Sequence, residues 1–127
     1  MTLRLPILLL ALVLPLLAPP LDAQESAAPE GDPILLEAIA QLEANDEAGA
    51  IQTLERLRSQ PEPSAVGLAL LGGLYVEAGQ PLDALDVLEP LLALEPPDPA
   101  VFYNAGRAAQ ALGQQQRAAE LYQRSIE

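Results

Sequence analysis

The apolar positions of this chain fall into three regimes: a continuous run from Leu5 to Leu17, a stretch from Gln24 to Gly31 without periodicity, and a helical pattern from Asp32 to the end. The third regime repeats itself. The shift that places Gly72 on Gly106 also places Gly79 on Gly113, Ala84 on Ala118, Leu68 on Phe102, Leu88 on Tyr122 and Leu91 on Ser125. The same shift backward places Ile34 under Leu68, Ala38 under Gly72, Asn45 under Gly79, Ala50 under Ala84, Leu54 under Leu88 and Leu57 under Leu91. One fixed period over three copies is the mark of stacked structural units.

Each landmark has a physical reason. Gly79 and Gly113 stand where a helix must stop and the chain reverse, a place that favours left-handed backbone angles. Asn45 takes that role in the first copy, because asparagine tolerates the conformation best among non-glycine residues. Small residues Ala38, Gly72 and Gly106, set against Ala50, Ala84 and Ala118, are expected to let paired helices approach closely. Asp32-Pro33 and Asp98-Pro99 each join an N-cap residue to a proline at the first helical position, Ser64 can cap the second unit, and Pro81 opens another helix. Six helices are predicted near 33–44, 47–59, 64–78, 81–94, 99–112 and 115–126, the fourth kinked at Pro90. The units run about 31–63, 64–97 and 98–127.

The pattern Leu71-Gly72-x-x-Tyr75-x-x-x-Gly79-x-x-x-x-Ala84-x-x-x-Leu88-x-x-Leu91-x-x-x-x-Pro96 resembles a tetratricopeptide repeat. Phe102, Ala105-Gly106, Ala109, Gly113, Ala118, Tyr122 and Ser125 repeat it, and residues 31–63 are similar to a degenerate third copy. The resemblance implies an all-α fold, a right-handed superhelix of three tandem helix-turn-helix repeats, whose first helices line a concave face that holds peptide segments. By register the lining would include Leu35, Ile39, Leu42 and Glu43 in the first unit. The second would offer Val66, Ala69, Gly73, Val76 and Glu77, and the third Tyr103, Asn104, Arg107, Gln110 and Ala111. Such a groove would be apolar at its first end, shallow in the middle and polar at its last.

The implied function is a protein–protein interaction module, with Tyr103, Asn104, Arg107, Gln110, Leu35, Ile39 and Val76 as its contact residues. Arg107 and Asn104 would fix an acidic group or a backbone carbonyl of the bound segment. The competing reading makes Leu35, Ile39 and Leu42 core residues of a unit with no preceding neighbour, and Tyr103, Asn104 and Arg107 ordinary helix-surface residues. Carboxylate clamps that hold chaperone C-termini use Lys, Asn and Arg over two or more units, and here only Asn104 and Arg107 remain. The third unit ends at Glu127 without a further capping element, so Leu121 is expected to be incompletely covered. A truncated chain, self-association through that face or a docked partner would each account for it.

The run at the start changes the picture of the composition. Ten of the 27 leucines fall within residues 1–21, after a single cation, Arg4. The order of cation, apolar run and small residue matches a secretory signal peptide, residues 1–23, cut after Ala23 and followed by a flexible leader, residues 24–31. Pro6 and Pro15 disfavour a stable membrane helix, and the run stops at Pro19-Pro20. The predicted location is periplasmic or secreted; the alternative is a membrane-anchored structural subunit that retains the segment.

Charge and missing residue types narrow the chemistry. With 6 Lys+Arg against 18 Asp+Glu the formal charge is −12, which repels phosphate and argues against nucleic acid as a partner. His and Cys are absent, so imidazole or thiolate zinc sites, Ser-His-Asp and Cys-His mechanisms, and disulfides have no components. Asp83/Asp86 and Glu43/Asp46 are carboxylate pairs of a spacing common on solvated helix faces. No Asp-x-Asp-x-Asp-Gly loop occurs, and Gly72-Gly73 lies inside a helix rather than after a strand. No enzyme activity, cofactor or metal is therefore expected.

Overall fold

A computed structural model describes residues 31–127, and the readings of a signal segment and leader lie outside them, apart from Gly31. The described residues form six α-helices and no strand: α1 Pro33–Glu43, α2 Glu47–Arg58, α3 Ala65–Glu77, α4 Pro81–Leu88, α5 Pro99–Ala111 and α6 Gln115–Ser125. A 3₁₀ segment, Glu89–Ala93, continues α4. Consecutive helices pair as α1/α2, α3/α4 and α5/α6, and each second helix packs on the first helix of the next pair. None of these helices is long and apolar enough to cross a membrane.

The helix ends explain the regularity. Asp32, Ser64 and Asp98 accept hydrogen bonds from the Ile34, Gly67 and Ala100 N–H groups, so each pair opens on a side-chain cap. Asp46 caps α2 through Gly49 N–H at 2.9 Å. Asn45, Gly79 and Gly113, each one repeat after the last, have φ values of 61°, 73° and 79°. Just after each, the N–H of Asp46, Gln80 or Gln114 returns to the carbonyl of Gln41, Tyr75 or Ala109 at 2.8–2.9 Å. This six-to-one bond closes the helix and turns the chain back into its partner. The identical device, used three times, is what gives the three pairs one geometry.

Pro90 ends α4 rather than kinking a longer helix. It has no N–H for the carbonyl four residues back and its ring crowds that turn, so the α geometry gives way to a 3₁₀ segment after Leu88. Leu91 still reaches the core from that segment.

Two groups of buried side chains run through the stack. Ala38, Ala50, Leu54, Leu57, Leu71, Leu74 and Val87 join the first two pairs. Leu85, Leu88, Leu91, Val101, Phe102, Ala105 and Leu121 join the last two. The small positions do permit close approach, but through larger neighbours than the register suggests. A methyl group on Gly72 would collide with Leu88, and one on Gly106 would stand 2.9 Å from the Tyr122 ring. Leu121 is buried at 8 % exposure, which corrects the expectation that it is left uncovered. Its helix turns Ala119, Glu120, Gln123 and Arg124 outward instead, and Arg124 lies 4.5 Å over the Phe102 ring.

Ion pairs cross the repeat junctions and join successive second helices: Arg58 to Asp86 at 2.6 Å and Arg117 to Glu89 at 2.5 Å. At the first junction Arg58 also touches Glu55, which accepts a 2.5 Å hydrogen bond from the Tyr75 hydroxyl of α3. Burial, reinforced by that bond to a carboxylate, pushes the Tyr75 hydroxyl up to about 12. An unfolded tyrosine ionises near pH 10, so between there and about 12 the native state holds a proton that the unfolded chain has lost. Stability should therefore fall as pH rises through that window. In Tyr75→Phe the decline should be shallower, as read from urea midpoints at pH 9, 10, 11 and 12; parallel curves would show that the hydroxyl is not held in this way.

Candidate functional site

The first helices of the pairs do not meet equally. α3 packs directly along α5, whereas α1 barely touches α3. Gly73 is the reason for the close contact: it leaves room for Asn104, whose amide nitrogen would stand 3.3 Å from a Cβ at that position. The α3/α5 contact creates two neighbouring clefts, each of about 450 Å³. One is lined by Ala69, Leu70, Gly73, Leu74, Glu77, Ala100 and Asn104 and is mainly apolar. The other is lined by Val76, Tyr103, Arg107, Gln110, Ala111 and Tyr122.

The boundary between the clefts is an ion pair. Arg107 Nη1 lies 2.6 Å from Glu77 Oε1, and its guanidinium is 6.0 Å from the centre of the Tyr103 ring. The hydrogen bond to Glu77 holds the Arg107 guanidinium above its ordinary range, so it stays charged at any physiological pH. Tyr103 is 52 % exposed and meets the Tyr122 ring at 5.8 Å in a tilted arrangement. The Tyr122 hydroxyl in turn donates to Gln110 Oε1 at 2.8 Å. Two tyrosines, an amide and a paired cation thus present one amphipathic wall, apolar on the ring faces and polar at the edges.

Four of the residues expected from sequence share this wall: Val76, Tyr103, Arg107 and Gln110. Asn104 lines the adjoining cleft, one turn away. Leu35 and Ile39 lie in neither. Leu35 is half-buried and rests with Leu42 against the core of the first two pairs, while Ile39 is exposed on α1. Arg107 is not a free cation, because Glu77 from the preceding unit already holds it.

Tyr122 is the wall residue that the register conceals. It occupies the position of Leu54 and Leu88, which are wholly buried, and so reads as a packing residue. Its ring does pack on Gly106, but a tyrosine is longer than a leucine and carries a hydroxyl that needs a partner, so its tip emerges beside Gln110. A polar aromatic in an otherwise aliphatic register was the available signal. Among the described residues no group of three or more carboxylates is placed to hold a metal ion.

In comparison with known proteins, the family model described as tetratricopeptide repeat matches residues 100–127, which cover α5 and α6. No curated protein and no solved structure matches the chain. Tetratricopeptide repeats generally mediate protein–protein interaction and are typically non-enzymatic. The matched unit supports a tetratricopeptide-repeat family, and the same turn, cap and packing residues recur once per repeat before it.

Proposed function

We propose that this protein is a non-catalytic adaptor or assembly factor that takes a peptide segment or partner helix along the face shared by α3 and α5. The observation that carries the reading is the convergence of Val76, Tyr103, Arg107 and Gln110 with Tyr122 on one amphipathic wall beside a shallow apolar cleft. Exposed tyrosine and arginine at the centre of a concavity are the residue types that anchor interfaces. Glu77 engages part of the Arg107 fork, and the remaining guanidinium donors suit a backbone carbonyl better than a carboxylate that would compete with Glu77.

The test begins with a photo-crosslinking residue in place of Gln110 to capture the partner in the native cell. Tyr103→Ala and Arg107→Ala should then each weaken the purified complex about tenfold or more, the range of interface anchors. Unchanged affinity in both variants would remove this surface from the proposal.

The location of the adaptor in a cell envelope, periplasmic or secreted, rests on the sequence of residues 1–23. N-terminal sequencing of the protein recovered from cells discriminates the two fates of that segment: a start at Gln24 supports export with cleavage, and an intact Met1 in the membrane fraction supports the anchored structural subunit.

A further inference from the structure

We infer that the tyrosine wall takes a proline of the bound segment, held in polyproline II form, while an apolar side chain three residues away enters the neighbouring cleft. The inference rests on the groove reading above and names the chemistry of the segment.

The hydrogen-bond inventory of the wall points to such a segment. The Tyr122 hydroxyl donates to Gln110 Oε1 at 2.8 Å, which leaves the Gln110 amide with its two N–H donors. Arg107 gives Nη1 to Glu77 at 2.6 Å, and the rest of its fork is unbonded among the described residues. No carboxylate of the described residues lines this cleft. The wall therefore offers donors in excess of acceptors. A polypeptide matches it where carbonyls are presented without N–H groups, and proline is the residue that lacks the N–H. The proline ring is also a flat apolar partner for the tyrosines. Tyr103 is 52 % exposed, and its ring meets that of Tyr122 at 49° with centroids 5.8 Å apart. Polyproline II suits aromatic grooves because it is preformed and makes no internal hydrogen bonds, so its carbonyls are free.

Charge disfavours the competing acceptor, a carboxylate. Residues 31–127 hold five arginines against fifteen Asp and Glu. Each arginine already faces a carboxylate of the chain itself. The surplus negative charge repels an acidic segment, whereas uncharged backbone carbonyls can use the same donors without that repulsion.

Spacing supplies the second anchor. Ala100 and Asn104, at the mainly apolar cleft, stand seven residues before Arg107 and Ala111, at the tyrosine wall. Seven residues are two helical turns, so both pairs share a face of α5 and lie about 10 Å apart along it. One turn of polyproline II, three residues long, advances about 9 Å. A segment laid along α5 thus brings one side chain to each cleft per turn.

The test uses the full chain, ¹⁵N-labelled, and the acetylated and amidated peptide Pro-Ala-Pro-Leu-Pro-Ala-Pro, in which leucine has a proline three residues away in either direction. Amide shifts should centre on Tyr103, Gln110 and Ala111, with a second set at Ala69 and Ala100 that disappears when the peptide leucine is replaced by alanine. A peptide with every proline changed to alanine should bind more weakly, as should one with glutamate at its two alanine positions. Gln110→Ala should lower affinity about threefold or more, as for a lost hydrogen bond. Tyr103→Leu should do the same, and Tyr103→Phe, which keeps the ring, should recover most of the loss. Equal binding of the all-alanine peptide would overturn the proline reading, and tighter binding of the glutamate peptide would overturn the preference for uncharged carbonyls. If the peptide shifts no residue of α3 or α5 while the crosslinked native partner still depends on Tyr103, this inference is wrong and the groove reading stands. If the native partner is also indifferent to Tyr103 and Arg107, both fall.

Discussion

Replacing Leu88 by alanine is expected to cost the protein about 2–5 kcal/mol, the range for emptying a buried leucine site, which is a large share of the stability of any small domain. Leu88 is wholly buried. It leans across the gap that Gly72 leaves on α3 and shares a core with Leu85, Leu91, Phe102 and Ala105. Truncation removes contacts within the middle pair and between it and the last pair. The pairing with Gly72 makes the prediction specific. Gly72→Ala alone adds helix propensity of up to about 1 kcal/mol, but its methyl group runs into Leu88, and overpacking of about 1–3 kcal/mol outweighs the gain. In the double variant that methyl enters the space Leu88 vacates. The double loss should therefore fall short of the sum of the single losses by about 1 kcal/mol or more. Urea unfolding followed by circular dichroism measures all four corners of the cycle, and additive losses would show that Leu88 is not what keeps position 72 small.

That pair also shows how far the sequence could be read. The repeat register identified position 72 as small and position 88 as large, and placed six helices within one or two residues of their observed ends, α4 apart. It could do so because caps, left-handed turn residues and core positions are local requirements that each unit must meet by itself. Register predicts equivalence, however, not contact. Which small residue meets which large one depends on how two helices cross, and the expected partner of Gly72 was Ala84 rather than Leu88.

The charges were less legible still. Arg58–Asp86 and Glu89–Arg117 join second helices of adjacent units at a sequence separation shorter than one repeat, fixed by stacking and not by the register. Glu77–Arg107 joins first helices at a different separation, also short of one repeat, for the same reason. The candidate site residues divide along this line. Val76, Tyr103, Arg107 and Gln110 follow from the helical face alone, whereas the capture of Arg107 by Glu77 and the emergence of Tyr122 need the three-dimensional stack.

Phe102→Ala should be about as damaging, about 3–5 kcal/mol, but its damage should be distributed differently. Phe102 is 2 % exposed within the core of the last two described pairs. Arg124 covers it, its guanidinium 4.5 Å over the ring and also near the Glu127 carboxylate at 3.6 Å. A cation on a ring face at a partly exposed site contributes about 0.5–1 kcal/mol, so Arg124→Ala should be much milder than removing the ring itself. In a stack whose units touch only their neighbours, a defect at the end weakens the end first. Native-state hydrogen exchange on Phe102→Ala should accordingly show protection lost mainly in α5 and α6, with α1 and α2 retaining most of theirs. Leu88→Ala, by contrast, should lower protection in α3 and α4 as well as in the last pair, because Leu88 sits on the middle pair and faces both. Equal loss across all six helices in Phe102→Ala would mean that the three repeats open as one cooperative block, so that the α3/α5 groove and the last pair could not be loosened independently.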